Sequence, residues 1–155
     1  MDFLRSLSDQ ELRLLVPNVV THEFGSGETL VTEGETGDSM YIIRRGIVEV
    51  IGHTPEGRPM RVASMTRPHF IGESAITGEP RNATCRVQTD VEVLEVNREA
   101  FAELFKQHPE VVTHIGEVMA NRALERKELL KDSHGDGVAA RRNRFVAMVR
   151  QVFDI

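Results

Sequence analysis

Between Val20 and Val96 the chain never runs far before a turn signal interrupts it. Gly25-Ser26-Gly27, Gly34-Glu35-Thr36-Gly37, Pro55-Glu56-Gly57, Thr77-Gly78-Glu79-Pro80 and Thr89-Asp90 cut it into short β-prone segments. Such punctuation leaves no room for long helices and calls for short strands joined by tight turns. Several segments alternate with a period of two. Glu49 interrupts the apolar set Ile47-Val48-Val50-Ile51, and the carboxylates of Val91-Glu92-Val93-Leu94-Glu95-Val96 mark a solvent side. Six to eight strands at this spacing predict a small antiparallel barrel or jelly roll over about residues 20–96.

Helical signals flank that region. Ser8 and Glu11 form a capping box, Leu7 and Leu12 occupy the hydrophobic-staple positions, and Pro17-Asn18 ends the helix. Asn97 caps a second helix through Phe101, Leu104 and Phe105. Pro109 suits the first position of a third, which extends to about Lys131 with Val112, Ile115, Val118, Met119, Ala123 and Leu124 at three-and-four spacing. Gly135 and Gly137 mark its end and a joint. The predicted class is α+β, an antiparallel β-roll or jelly-roll barrel with an N-terminal helix and C-terminal helices. Residues 1–132 form the domain and 133–155 a basic amphipathic tail. In the tail Arg141, Arg142, Arg144 and Arg150 lie opposite Phe145, Met148, Val149, Val152 and Phe153. It reads as a helix packed on its own chain or on a partner, with a membrane surface as the lesser option.

Bulk properties narrow the function. A chain of 155 residues supports one domain with a true core. A net charge of −5 argues against direct, general nucleic-acid affinity. No run approaches the ~18 apolar residues of a membrane span, and no apolar signal segment follows Met1-Asp2. The single cysteine, Cys85, has no internal disulfide partner and reads as a buried strand residue in a reducing, cytoplasmic setting. The six histidines show no metal-ligand spacing, and no nucleophile elbow, Walker loop or Cys-His pair is present, so neither a metal, a cofactor nor an enzymatic activity is expected.

The segment Phe70–Val87, F-I-G-E-S-A-I-T-G-E-P-R-N-A-T-C-R-V, carries the chemistry. Gly72 precedes the carboxylate Glu73. The small Ser74 and Ala75 leave backbone N–H groups approachable at a short helix start, and Arg81 follows, then Asn82-Ala83-Thr84. N–H groups and a guanidinium fork hold an anion, while a fixed carboxylate accepts from a sugar hydroxyl. Together they suit a ligand with one phosphate and one sugar.

This segment resembles the phosphate-binding cassette of the cyclic nucleotide-binding domain family, whose members carry Gly-Glu, a short helix and Arg-x-Ala-Thr/Ser. Here these are Gly72-Glu73 and Arg81-Asn82-Ala83-Thr84. Residues 33–50, E-G-E-T-G-D-S-M-Y-I-I-R-R-G-I-V-E-V, resemble the family's first β-roll signature, and the likeness extends over residues ~5–132. The Glu73-to-Arg81 spacing is about one residue shorter than in familiar members. The resemblance implies cAMP or cGMP as ligand, with phosphate on Arg81 and the cassette N–H groups and ribose on Glu73. The Asn82 amide either accepts from a guanine amino group or faces solvent, and Val62 and Ile71 either wall the base or pack the core. Tyr41 and Gly46 read as fold determinants. The helix from Pro109 is similar to the family's lid helix, with Arg122 as the residue that caps the purine and Arg126 as a second candidate; an exposed Arg122 paired with Glu125 is the alternative.

A module of this kind moves its lid helix to control an attached output domain. The wording T-G-E-P-R-x-A-T and the Arg-rich tail resemble bacterial cyclic nucleotide-regulated channels of the mechanosensitive small-conductance type, which makes the cytosolic end of an inner-membrane channel the first expectation. The alternative is the sensor of a CRP/FNR-like transcription regulator whose DNA-binding part is absent. A kinase-type regulatory subunit is third. A homo-oligomer stays open.

Overall fold

The structure, a computed structural model, describes residues 8–15, 17, 19–67, 70–130 and 138–154, with the side chains of Leu12, Val138 and residues 122–130 left aside. Among the described residues the turn signals delimit eight strands: β1 (Val19–Phe24), β2 (Thr29–Val31), β3 (Ser39–Arg45), β4 (Val48–His53), β5 (Pro59–Met65), β6 (Phe70–Ile71), β7 (Thr84–Val87) and β8 (Val91–Asn97). They pair antiparallel into two four-stranded sheets, β1-β8-β3-β6 and β2-β7-β4-β5. The alternation fixes the faces. In β4, Val48 and Val50 are buried while Glu49 turns outward to Arg86, 3.3 Å away. The expected β-roll is therefore present.

The helices are α1 (Asp9–Leu15), α2 (Ser74–Thr77), α3 (Arg98–Gln107), α4 (Glu110–Leu130) and α5 (Val138–Phe153). The capping box forms as its spacing requires: Ser8 N donates to Glu11 Oε2 at 2.8 Å, and Glu11 N to Ser8 Oγ at 3.2 Å. The accompanying Leu7–Leu12 staple and the glycine joint at 135 and 137 lie outside the described residues and side chains. Asn97 Oδ1 accepts from Ala100 N at the start of α3. Pro109 is a turn residue just before α4 rather than its first member, and its carbonyl accepts from Val112 N.

Two apolar clusters hold the fold. One fills the roll with Ile43, Val48, Val50, Val62 and Val93. The other lies where the helices cover the first sheet, around Phe70, Ile76, Phe101, Leu104, Phe105 and Ile115. The tail read as a separate segment belongs to this second cluster, for Phe145 and Val149 of α5 are buried in it. Of its basic residues Arg144 and Arg150 are exposed, while Arg142 lies against α4 and pairs with Glu117 at 3.4 Å. Gly116 permits this approach: a Cβ there would lie 3.1 Å from Phe145 Cδ1 and 3.3 Å from Arg142 Cγ. No helix among the described residues is long and apolar enough to cross a membrane.

Candidate functional site

Arg81 is the centre of the site. The residue is only 7% exposed. Its backbone is fixed first: Arg81 N donates to Glu35 O, and Arg81 O accepts from Gly34 N, each at 2.8 Å. The guanidinium then reaches into the seam between the cassette and β3. Nη1 donates to Gly72 O at 2.8 Å and Ser74 Oγ at 3.2 Å, and Nη2 donates to Ser39 O at 2.9 Å. Among the described residues none of its partners is a carboxylate. A buried cation whose hydrogen-bond partners among the described residues are all neutral oxygens is suited to attract an anion.

Two glycines make room for that fork. Gly72 has φ +88°, a left-handed conformation, and a Cβ on it would come within 2.8 Å of Arg81 Nη1 and 3.0 Å of Ser39 O. A Cβ on Gly37 would overlap Arg81 Nη2 and lie 2.9 Å from Cζ. Gly37 belongs to the β-roll signature read from the sequence, but its role against Arg81 and that of the Ser39 carbonyl were not legible there. They come from backbone positions that sequence patterns do not mark.

The other expected site residues separate into three groups. Ile71, Gly72, Glu73, Ser74, Arg81, Asn82 and Ala83 do converge, on a small cavity inside the roll whose remaining walls include Val31, Val50, Met65 and Cys85. Its volume is about 20 Å³, room for about one water. Glu73 precedes α2 at its N-cap position, makes no side-chain capping bond and lines this cavity. Asn82 is exposed at the rim.

Ala75, Thr84 and Val62 do not line this cavity. Ala75 is fully buried in the helical cluster, its N–H donates to Gly72 O, and its carbonyl accepts from Arg98 Nε at 2.6 Å. The expected bare N–H at this position is thus engaged, because α2 is a single turn closed on Gly72. Thr84 opens β7, where alternation points Ala83 and Cys85 inward; its Oγ1 accepts from Glu33 N at 3.1 Å. Val62 packs in the roll against Gly52. Arg122 and Arg126 lie on α4, but their side chains are outside those described.

Arg81 also borders a polar hollow of about 230 Å³ walled by Asp38, Ser39, Tyr41 and Glu95. Burial above all, and then the Glu95 carboxylate, push the Tyr41 phenol above its ordinary value of 10.0, while Arg81 pulls it down. Histidine spacing suggested no metal site; the fold nonetheless brings His108 Nδ1 to 3.5 Å from Glu11 Oε1 and 3.2 Å from Glu110 Oε1, a polar cluster joining α1 to the α3–α4 turn.

The family model for the cyclic nucleotide-binding domain matches residues 21–108, more than half of the chain. The chain belongs to the cyclic nucleotide-binding domain family. Within it, the chain is 29% identical over 117 residues to the cAMP-activated global transcriptional regulator CRP of Salmonella typhimurium, a match covering 74% of this chain and 56% of that protein. It thus spans about half the length of the curated relatives it matches. The regulatory domain of Toxoplasma gondii PKA with cAMP superposes at a TM-score of 0.61 with 26% identity, over 66% of this chain and 40% of that one. The Thermus thermophilus catabolite activator protein shares the fold over 99% of this chain and 85% of its own, at a TM-score of 0.71 and 19% identity. These relatives are transcription regulators and a kinase regulatory domain. The expected likeness to mechanosensitive-type channels finds no support in them.

Proposed function

We propose that this member of the cyclic nucleotide-binding domain family binds cAMP and acts as a sensor module for transcriptional control, exerted through a DNA-binding part outside this chain. The observation that carries the reading is the buried Arg81 fork, held by neutral oxygens between Gly37 and Gly72 at the mouth of a cavity in the roll. It offers a planar, charged donor set for a single phosphate. Ile71, Met65 and Val50 supply apolar walls deeper in. The ligand acts by binding, with no bond made or broken.

The choice of cAMP draws on the relatives, one of which is described as cAMP-activated and another as complexed with cAMP. The transcriptional output draws on the 29% identity with CRP. A cavity of about 20 Å³ is far below the ~300–1,000 Å³ of ordinary ligand sites. Nucleotide entry therefore requires the cassette to shift against α4 and α5, and that displacement is the signal. Differential affinity for the two arrangements sets its size, typically ~1–3 kcal/mol.

Isothermal titration of the purified chain with cAMP and cGMP tests the reading. Saturable binding is expected, weakened at least tenfold (~1.4 kcal/mol) by Arg81→Ala. Absence of saturation with both nucleotides would refute it. Coding sequence for a helix-turn-helix downstream supports the output; membrane spans upstream would oppose it.

A further inference from the structure

We propose that Glu11, His108 and Glu110 bind one divalent transition-metal ion of the Zn²⁺ class, and that the bound ion ties α1 to the start of α4. None of the three lines the cavities around Arg81, so the inference is independent of the nucleotide reading.

His108 caps the end of α3. Its backbone N–H donates to Leu104 O at 2.8 Å and its carbonyl accepts from Val111 N at 3.0 Å, which fixes the residue between α3 and α4. Nδ1 faces two carboxylates, at 3.5 Å from Glu11 Oε1 and 3.2 Å from Glu110 Oε1. The other ring nitrogen, Nε2, is buried without a hydrogen-bond partner, so the polar contacts of the imidazole are all made at this one point. A ring nitrogen carries at most one proton and serves one acceptor well with it. Two carboxylates beside it hold more negative charge than that proton can answer. Among the described residues no lysine or arginine pairs with either of them. A dication answers all three groups at once.

Glu11 is prepared as a ligand. Leu15, one turn further along α1, is buried in the helical cluster, so this face of α1 turns inward and the Glu11 side chain is only 12% exposed. Its Oε2 is taken by Ser8 N at 2.8 Å, which orients the carboxylate and leaves Oε1 for the ion. Zn²⁺ sits ~2.0–2.2 Å from nitrogen and carboxylate ligands, which sets neighbouring ligand atoms ~3–3.5 Å apart. Both distances to Nδ1 already have such values. All three ligand atoms lie within 4.8 Å of one another, and Glu110, with its side chain 67% exposed, has the freedom to swing in and complete the set.

One imidazole nitrogen and two carboxylate oxygens favour Zn²⁺ or Co²⁺ over Mg²⁺, which prefers an all-oxygen shell. The spacing of the histidines gave no sign of the site because it uses a single histidine, with one of its carboxylates brought in by a helix at the other end of the chain.

The test is isothermal titration of Zn²⁺, and separately of Mg²⁺, into the full chain stripped of metal with EDTA, and of Zn²⁺ into Glu11→Gln, His108→Gln and His53→Ala, each checked by far-UV circular dichroism. Saturation at one Zn²⁺ per chain is expected, with Mg²⁺ at least tenfold weaker. Glu11→Gln keeps an oxygen for the Ser8 capping bond while removing the ligating carboxylate. It should bind Zn²⁺ at least tenfold more weakly, as should His108→Gln. His53→Ala, which removes the separate His53–Glu33 pair, should bind as the unsubstituted chain does. Added Zn²⁺ should also slow hydrogen exchange in α1 of the unsubstituted chain and leave it unchanged in Glu11→Gln. No saturable Zn²⁺ binding, Mg²⁺ binding as tight as Zn²⁺, or Zn²⁺ binding that Glu11→Gln leaves unchanged would overturn the inference. If His108→Gln does not fold, Glu11→Gln decides by the same criterion.

Discussion

Arg81 is held by groups that a sequence reader would not rank. Gly37 lies 44 positions upstream by residue number, yet a methyl group there has no place to go except through the guanidinium. Gly37→Ala is therefore expected to displace Arg81 and weaken nucleotide binding at least tenfold, comparable to Arg81→Ala. The overpacking should lower stability by ~1–3 kcal/mol. Paired titration and urea denaturation would check both. Tyr41 gives a pH signature. Its phenol is raised above 10.0 in the fold, so the native state retains the proton more tightly than the unfolded chain. The associated stability is fully present below pH 10 and is lost as pH rises through the raised native value. Denaturation midpoints measured upward from pH 9 should fall more steeply for the parent chain than for Tyr41→Phe. The residues that do read directly from sequence are those whose contacts run through side chains: Arg81, the Ser8–Glu11 box and the Asn97 cap. Those that act through a carbonyl or through a missing Cβ, Ser39 and Gly37, need the fold before they can be seen.

At the level of elements, the strands were legible because turn chemistry and period-two patterning agree along the same stretch. Helix α5 was legible as an amphipathic helix packed on its own chain or on a partner, but the place where it docks was not. Its apolar set, Phe145, Met148, Val149, Val152 and Phe153, shows that one side wants burial. What it packs on depends on Gly116, a helical glycine with no local signal, which opens α4 just where Phe145 and Arg142 arrive. Phe145→Ala is expected to destabilise the chain by ~3–5 kcal/mol. Hydrogen exchange should show the loss concentrated in α5 and the facing turns of α4, with the β-roll amides retaining their protection. Uniform loss across both sheets would mean that helices and roll unfold as one unit.

For the molecule as a whole, a cassette wedged between roll and helices makes ligand and fold mutually dependent. Arg98 is the visible joint: its Nε donates to Ala75 O at 2.6 Å and its backbone N to Asp38 O at 2.6 Å, so the start of α3 is bound at once to the cassette helix and to the loop before β3. At a nucleotide concentration of 100 Kd the native state should gain ~2.7 kcal/mol, seen as a higher thermal midpoint, a rise that Arg81→Ala cuts by at least about half at the same concentration.

The Arg81–Ser39 contact spans 42 residues and the Ser39 Oγ–Glu95 bond 56, so the phosphate seat closes only after chain-distant strands have met. Such contacts form late, because loop closure must precede them. A nucleotide bound there has nothing to hold in the folding transition state. It should slow unfolding and leave the refolding rate as it was. Stopped-flow chevrons with and without cAMP would then share one refolding limb and separate only on the unfolding side. The ligand would lengthen the lifetime of a finished sensor without helping to make one.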